Sequence, residues 1–310
     1  MKKRIAISVG DLNGIGMQLI LENHQYIENI IDPIYCIDNK MLKQVSTLLK
    51  LNIPKNFKTT EDIYEPFHVQ PSQITKESGA YAFYSFYKAI ELTKSKKVEG
   101  IMTLPIHKKA WELAGINYKG HTDALRDIFK SEAIMMLGTP KMYVALYTEH
   151  IPLKQVSQAV ENVTQLSSFL INFYNSIKNQ LQENEKVALL GINPHAGDNG
   201  VLGDEEKKII KATKIAHKII SKEIYTEPLV PDVVFTPNSR KNYRYFVAMY
   251  HDQGLAPLKA LYFDEGINIS LNLPIIRTSV DHGTAFDIAY QGKKLNNLSY
   301  LNAINYFVTT

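Results

Sequence analysis

The sequence predicts an α/β protein organised as α/β/α sandwiches, and three observations predict it. Short β-branched or apolar runs alternate with longer amphipathic stretches from one end of the chain to the other. Several apolar runs end abruptly in polar or glycine-rich motifs, which places those motifs at the carboxyl ends of strands, where open α/β sheets bind ligands. At 310 residues the chain exceeds a single core and suggests two lobes of roughly 150 residues each.

Arg4–Val9 is rich in β-branched residues and reads as a strand. Gly10-Asp11-Leu12-Asn13-Gly14-Ile15-Gly16 follows as a glycine-rich turn, and a helix from about Met17 to His24 completes a strand–turn–helix unit. Such a turn lets backbone N–H groups approach an anion at a helix start. Its spacing matches neither the dinucleotide fingerprint nor the P-loop, so a purely structural turn is an equal reading. Ile34–Ile37 reads as the second strand and Lys40–Leu51 as a helix, and residues 52–76 are broken by Pro54, Pro66 and Pro71. Ser78–Lys94 sets Phe83, Phe86, Tyr87 and Ile90 on one helical face, with Tyr81 and Tyr84 off it. Val98–Thr103 is a buried strand, and Gly120-His121-Thr122-Asp123 opens a helix that Thr122 or Asp123 can cap.

Ala133–Leu137 and Met142–Tyr147 read as strands, Asn162–Gln182 as a helix and Lys186–Ile192 as a strand. Asp204–Lys222 is a Lys-rich helix with His217 on its solvent face, and Asp232–Thr236 is a short strand. Tyr245–Tyr250 is a buried strand that runs without a spacer into His251-Asp252-Gln253-Gly254. Ile267–Leu273 is a further strand. The motif from Arg277 to Asp287 leads into a helix, and residues 297–308 close the chain as another.

Hydrophobic content of 45% and charged content of 21% are those of a globular protein and argue against disorder. The formal net charge of +4 is spread over dispersed lysines, which suits anionic ligands and gives no nucleic-acid footprint. The one cysteine, Cys36, lies in an apolar run. It excludes an intramolecular disulfide and fits a reducing cytoplasm. The apolar run after the basic amino terminus, Ile5–Val9, is too short for a signal peptide, and no stretch approaches a membrane span. The expected setting is cytoplasmic, without membrane or nucleic-acid partners.

Of nine histidines, His150, His195 and His251 fall directly after predicted strands. Three neutral imidazoles at one centre make a divalent-metal site with open positions for Lewis-acid chemistry; separate capping or core histidines are the alternative. His121 and His282 also lie in polar loop motifs. Arg277 and Lys259 can hold a phosphate or carboxylate, the one as a planar fork and the other as a point charge. Asn268 can bind a hydroxyl or carboxylate, and Asp252 is the candidate base.

Taken together, Gly10-Asp11-x-x-Gly14-Ile15-Gly16, Gly120-His121-Thr122-Asp123, Asn193-Pro194-His195-Ala196-Gly197-Asp198, Tyr250-His251-Asp252-Gln253-Gly254 and Arg277-Thr278-Ser279-Val280-Asp281-His282-Gly283-Thr284-Ala285 closely resemble the motifs of the 4-hydroxythreonine-4-phosphate dehydrogenase family of pyridoxal 5′-phosphate biosynthesis. The resemblance runs from the first strand to the last helix. It implies an isocitrate/isopropylmalate-dehydrogenase-like fold of two α/β/α lobes flanking a cleft. Residues 1–125 with 275–310 would form a nucleotide-binding lobe, and 126–274 a metal, substrate and dimerisation lobe. It implies a homodimer with its active site at the subunit interface. The implied reaction is NAD- or NADP-dependent oxidation of 4-phosphohydroxy-L-threonine to 2-amino-3-oxo-4-phosphohydroxybutanoate, which decarboxylates to 3-amino-2-oxopropyl phosphate. One divalent metal per subunit (zinc, magnesium or cobalt) would sit on His150, His195 and His251. Substrate contacts would be His121, Thr122, Lys259, Asn268 and Arg277. Similarity to the adenosine-binding loop of isopropylmalate dehydrogenases assigns His282, Gly283, Thr284 and Asp287 to the cofactor. The first turn departs from the family's usual Gly-Asp-Pro-Ala-Gly-Ile-Gly-Pro-Glu, with Leu12, Asn13, Met17 and Gln18 in place of Pro, Ala, Pro and Glu. A same-family dehydrogenase acting on another phosphorylated hydroxy acid or a dihydrodiol is one alternative. A three-histidine metal hydrolase and a non-catalytic metal- or nucleotide-binding protein are the others.

Overall fold

The structure is a computed structural model that describes residues 1–309. β1 (Arg4–Ser8) leads through the glycine turn into α1 (Gly16–Ile30), followed by β2 (Asp32–Cys36), α2 (Asn39–Leu49), α3 (Lys76–Lys94), β3 (Gly100–Thr103), α4 (Lys108–Leu113) and α5 (His121–Phe129). β4 (Ile134–Thr139), β5 (Met142–Leu146), α6 (Val156–Glu161), α7 (Val163–Ile177), β6 (Val187–Leu189), α8 (Glu205–Ile220), α9 (Pro231–Val234) and α10 (Pro237–Arg240) come next. β7 (Tyr245–Ala248), α11 (His251–Tyr262), β8 (Ile267–Leu271), β9 (Ile276–Val280) and α12 (Leu298–Thr309) complete the chain. It divides into two compact units, Met1–Ser131 with Ile267–Ile269 and Leu273–Thr310, and Glu132–Gly266 with Ser270–Asn272.

In the first unit β2, β1, β3 and β9 are neighbours in that order, and every pairing is parallel. Parallel neighbours need long crossovers and are covered on both faces, which is why β1 and β3 are buried almost throughout. β9 shows the two faces directly. Thr278 donates to the Ala303 carbonyl of α12 (2.9 Å), while its neighbour Arg277 reaches the Thr103 hydroxyl of β3 (2.8 Å). Successive side chains of a strand point to opposite faces, so one register serves both the packing helix and the polar pocket. On the α12 side the chain comes so close that a Cβ on Gly100 would lie 2.6 Å from the Phe307 ring.

In the second unit β4 and β5 form an antiparallel hairpin, and β5–β7 and β7–β6 are parallel. Val144, Phe246 and Ala248 face Leu255 and Leu258 of α11. Tyr245, on the other face, meets the Phe173 ring of α7 with centroids 6.3 Å apart. This again is a sheet layered between helices. α11 approaches closely because residue 254 is glycine; a Cβ there would lie 2.4 Å from Val144.

Four expectations are corrected. Asp232–Thr236 is not a strand. Pro231 starts a single helical turn, since a proline at the first helical position presets φ and outweighs the short Val233-Val234-Phe235 run. The segment after Val280 does not enter a helix, because Ala285 (φ 45°) and Tyr290 (φ 60°) take left-handed conformations, and helix resumes only at Leu298. On α3 the buried stripe contains Ala82, Ser85, Phe86, Ala89 and Ile90, together with Tyr81. The Tyr81 hydroxyl is engaged by Asp38 at 2.8 Å, whereas Tyr87 is exposed. His217 is no solvent-face histidine: its Nε2 accepts the Tyr225 N–H (3.0 Å) and its ring stacks on Tyr225.

Candidate active site

The first unit holds a buried cationic pocket. Arg277 sits on β9 opposite Ile101 of β3. Thr103, two residues further along β3 and so on the same face, accepts from its Nε at 3.2 Å and its Nη2 at 2.8 Å. Arg277 is buried, and burial pulls its pKa down to about 9, which still leaves it charged at neutral pH. His121, the first residue of α5, packs edge-on against Phe86 (4.7 Å) and Trp111 (5.4 Å). Burial first, and the Arg277 charge second, hold its pKa well below the usual imidazole range. His121 is therefore a neutral donor or acceptor and not a second cation. Its Nε2 is buried without a partner, as is Oδ1 of Asn268 on β8. Orphaned buried polar atoms call for an explanation, and an anionic, hydroxyl-bearing ligand supplies one. Thr122 is buried beside His121. Neither Thr122 nor Asp123 occupies the cap position, which belongs to Gly120; Asp123 instead accepts the Lys119 N–H at 3.0 Å.

The loop after β9 carries His282, Gly283, Thr284 and Asp287. The Gly283 surface is open, since a Cβ there would meet nothing within 4 Å. His282 turns Nδ1 toward the Gly283 carbonyl (3.0 Å) and leaves Nε2 buried without a partner. Asp287 is exposed. An open glycine beside an unpaired imidazole fits a dinucleotide. The Gly10–Gly16 turn commits several of its N–H groups to acceptors within the protein. Asp11 N–H donates to the Pro105 carbonyl (2.9 Å), Gly14 N–H to the Asp11 carbonyl (3.0 Å) and Ile15 N–H to the Thr284 carbonyl (3.1 Å). Its glycines serve close packing, with a Cβ on Gly10 falling 2.3 Å from Pro105 O and one on Gly14 falling 2.7 Å from Thr284 O.

The second unit carries the three strand-end histidines. His251 opens α11 directly after β7, and its ring lies 5.8 Å from that of His150, which follows β5. β5 and β7 are parallel neighbours, so both histidines leave the same end of the sheet. Asp252 Oδ1 lies 2.7 Å from His251 Nδ1. A carboxylate–imidazole pair of this kind fixes a histidine's tautomer and leaves its other ring nitrogen open. The donor chemistry of His150 and His251 fits a divalent ion. His195 is not gathered with them: among the described residues no group of three or more His, Cys, Asp or Glu side chains stands close enough to hold an ion. It lies on the Pro194–Gly200 segment, where His195, Ala196, Gly197, Asp198 and Asn199 all have positive φ. Left-handed backbone costs roughly 1–2 kcal/mol per non-glycine residue, so the surroundings must hold it. Lys259 is part-exposed on α11, with Nζ 5.7 Å from the Phe263 ring centroid.

Three residues have positioning roles that the sequence reading did not assign. Gln253 accepts the Met249 N–H (2.7 Å) and donates to the Gly191 carbonyl (2.6 Å), tying the ends of β7 and β6 beneath His251. Glu206 accepts the N–H groups of Ile192 and Asn193, both at 2.8 Å, and anchors the His195 loop. Asn193 also bridges Glu205 (2.7 Å) and Glu206 (2.9 Å). That amide, then the Ser157 hydroxyl, lowers the Glu205 pKa. Gln253 and Asn193 stood in the quoted motifs without an assigned role, and for Glu206 the only sequence signal was a pair of carboxylates opening an amphipathic helix, which the helix dipole alone explains.

The profile of the pyridoxal phosphate biosynthetic protein PdxA matches residues 29–307. A 4-hydroxythreonine-4-phosphate dehydrogenase of Sulfurimonas denitrificans is 57% identical over 303 residues, covering 98% of this chain and 96% of that protein. The crystal structure of a 4-hydroxythreonine-4-phosphate dehydrogenase from Burkholderia phymatum superposes with a TM-score of 0.83 at 29% identity, covering 100% of this chain and 98% of that one. A β-decarboxylating dehydrogenase from Thermococcus kodakarensis shares the fold, with a TM-score of 0.52 at 10% identity over 99% of this chain and 83% of that one.

Proposed function

Since the chain belongs to the PdxA family of pyridoxal phosphate biosynthetic proteins, we propose that it is an oxidoreductase that oxidises 4-phosphohydroxy-L-threonine to 2-amino-3-oxo-4-phosphohydroxybutanoate, the precursor of 3-amino-2-oxopropyl phosphate. The observation that carries this reading is the buried Arg277 fork, held by Thr103 beside the unpaired, neutral His121. It suits a small phosphorylated ligand.

NAD or NADP, when bound, supplies the hydride acceptor, and a divalent ion (zinc, magnesium or cobalt) supplies Lewis acidity at oxygen. His150, His195 and His251 would hold the ion, and His282, Gly283, Thr284 and Asp287 the dinucleotide. The protein's own groups do the rest. Arg277 offers a fixed positive charge to an anionic oxygen, and Thr103 removes the freedom of its guanidinium in advance. His121, neutral, donates or accepts a hydrogen bond without adding charge, and Thr122 and Asn268 add polar contacts. Asp252, bonded to His251, orients that imidazole; this occupation makes it a positioning group before a base. Lys259 is the second cation for the substrate. The working unit is a homodimer with its active site at the subunit interface, a reading that rests on the motif resemblance.

Steady-state nicotinamide reduction with 4-phosphohydroxy-L-threonine, a phosphorylated sugar acid and a cis-dihydrodiol tests the assignment. The first should exceed the others by about 10⁴-fold in kcat/KM, on the order of the discrimination that a site's unpaired buried polar groups impose. A dihydrodiol preference would overturn it.

A further inference from the structure

We propose that the first turn, Asp11 to Gln18, is a clamp that sets the affinity for the dinucleotide by fixing the backbone of the 284–293 loop from behind. The proposal rests on the assignment of that loop to the cofactor. The loop has no regular secondary structure of its own between β9 and α12, so its shape must come from what it touches. Four hydrogen bonds tie it down. Ile15 N–H donates to the Thr284 carbonyl (3.1 Å), and the Tyr290 hydroxyl donates to the Leu12 carbonyl (2.5 Å). The Gln18 amide donates to the Lys293 carbonyl (2.9 Å), and the Ser72 hydroxyl to the Phe286 carbonyl (2.5 Å).

Asn13 unites these contacts. It is fully buried. Its Nδ2 donates to the Gln73 carbonyl (2.8 Å) and the Thr75 hydroxyl (3.3 Å), its Oδ1 accepts the Gln70 N–H (2.9 Å), and its own carbonyl accepts the Ser72 N–H (2.9 Å). The 70–75 segment is thereby cast around one amide, and its Ser72 is delivered to Phe286. Asn13 N–H in turn bonds Asp11 Oδ1 (3.0 Å), whose other oxygen accepts from Ser78 (3.1 Å) at the start of α3. An alanine at 13 would delete all three side-chain contacts, and a glutamate at 18 would delete the donor to Lys293. Both positions are among the four where this chain departs from the family's usual first turn. None of Asn13, Gln18 and Ser72 belongs to the proposed dinucleotide or substrate contacts; they are positioning residues.

The test is dinucleotide affinity by calorimetry, with KM and kcat, for Ser72→Ala, Gln18→Glu and Asn13→Ala beside a His282→Ala control, with melting temperatures recorded for all. Ser72→Ala should weaken the dinucleotide Kd and raise its KM about three- to tenfold, the range of one lost hydrogen bond, and Gln18→Glu and Asn13→Ala, which lose more than one, by at least as much. KM for the phosphorylated substrate should stay within about twofold. Should Asn13→Ala not fold, Ser72→Ala and Gln18→Glu decide, since the first removes the donor to Phe286 and the second the amide that donates to both Lys293 and Glu22. Unchanged affinity in them, with His282→Ala weakened, overturns the clamp and leaves the cofactor-loop assignment standing. Unchanged affinity in His282→Ala as well removes the loop from cofactor binding, and the clamp with it.

Discussion

The two units present their functional groups in opposite states. In the first, Arg277, Thr103 and His121 are buried, and the guanidinium is locked by strand register. In the second, His150 and His195 are exposed, His251 is half-exposed, and only two of the three approach each other. The proposed ligands account for the difference. An anion-binding fork gains from being fixed beforehand, because reorganisation then costs nothing during the reaction. Imidazoles meant for an ion need not be desolvated until the ion joins them, and binding and local ordering are then one process.

Breaking the contrast from the metal side should have the largest effect. His195→Ala should abolish metal-dependent nicotinamide reduction and lower bound metal, read by elemental analysis, while the melting temperature barely moves, because the residue is exposed. Retained wild-type turnover and metal content would refute the three-histidine set. On the anion side, Arg277→Met should lower kcat/KM by about 10²–10³-fold through loss of a bidentate, charge-assisted contact; steady-state kinetics would show it. A loss below fivefold would move the phosphate elsewhere.

Glu206→Gln sharpens the comparison. A neutral amide cannot accept the Ile192 and Asn193 N–H groups as strongly, so the left-handed His195 loop should loosen. Metal affinity should drop roughly 10- to 100-fold, as for other groups that orient ligands, measured by competition with a chelating dye. The same change should leave the first unit's dinucleotide affinity untouched.

The fold was legible wherever a run of apolar residues ended sharply. β1, β5 and β7 were read within one or two residues, and with them the strand-end positions of His150 and His251. Legibility failed where a single residue's conformation outweighed a local pattern. Pro231 turned an apolar run into a helical turn, and the left-handed Ala285 and Tyr290 kept the His282 segment from becoming a helix. Membership of the buried pocket was legible only as motif. That Thr103 would hold Arg277, 174 residues away in sequence, depends on the pairing of β3 with β9, which no local spacing reveals. Gln253 and Glu206 were missed for the same reason, their partners being backbone groups at the ends of other strands.

The last expected effect is on stability and not on binding or turnover. Burial, against the opposing hydrogen bonds from Asn13 and Ser78, raises Asp11 to about 6. Since the folded pKa lies above the unfolded one, the native state binds the extra proton between them. The associated stability is full below about pH 4 and is lost as pH rises through about 6, on the order of 3 kcal/mol. Asp11→Asn should flatten that stretch of the profile in denaturant melts at pH 4 and pH 7; a variant whose stability tracks the wild type across both would contradict it.

The most direct test of the whole account is nicotinamide reduction with 4-phosphohydroxy-L-threonine, run with chelator, without it, and with divalent metal restored. Turnover should vanish with chelator and return with zinc, magnesium or cobalt, in wild type but not in His195→Ala. Turnover indifferent to chelator, or absent with this substrate under every condition, would contradict it.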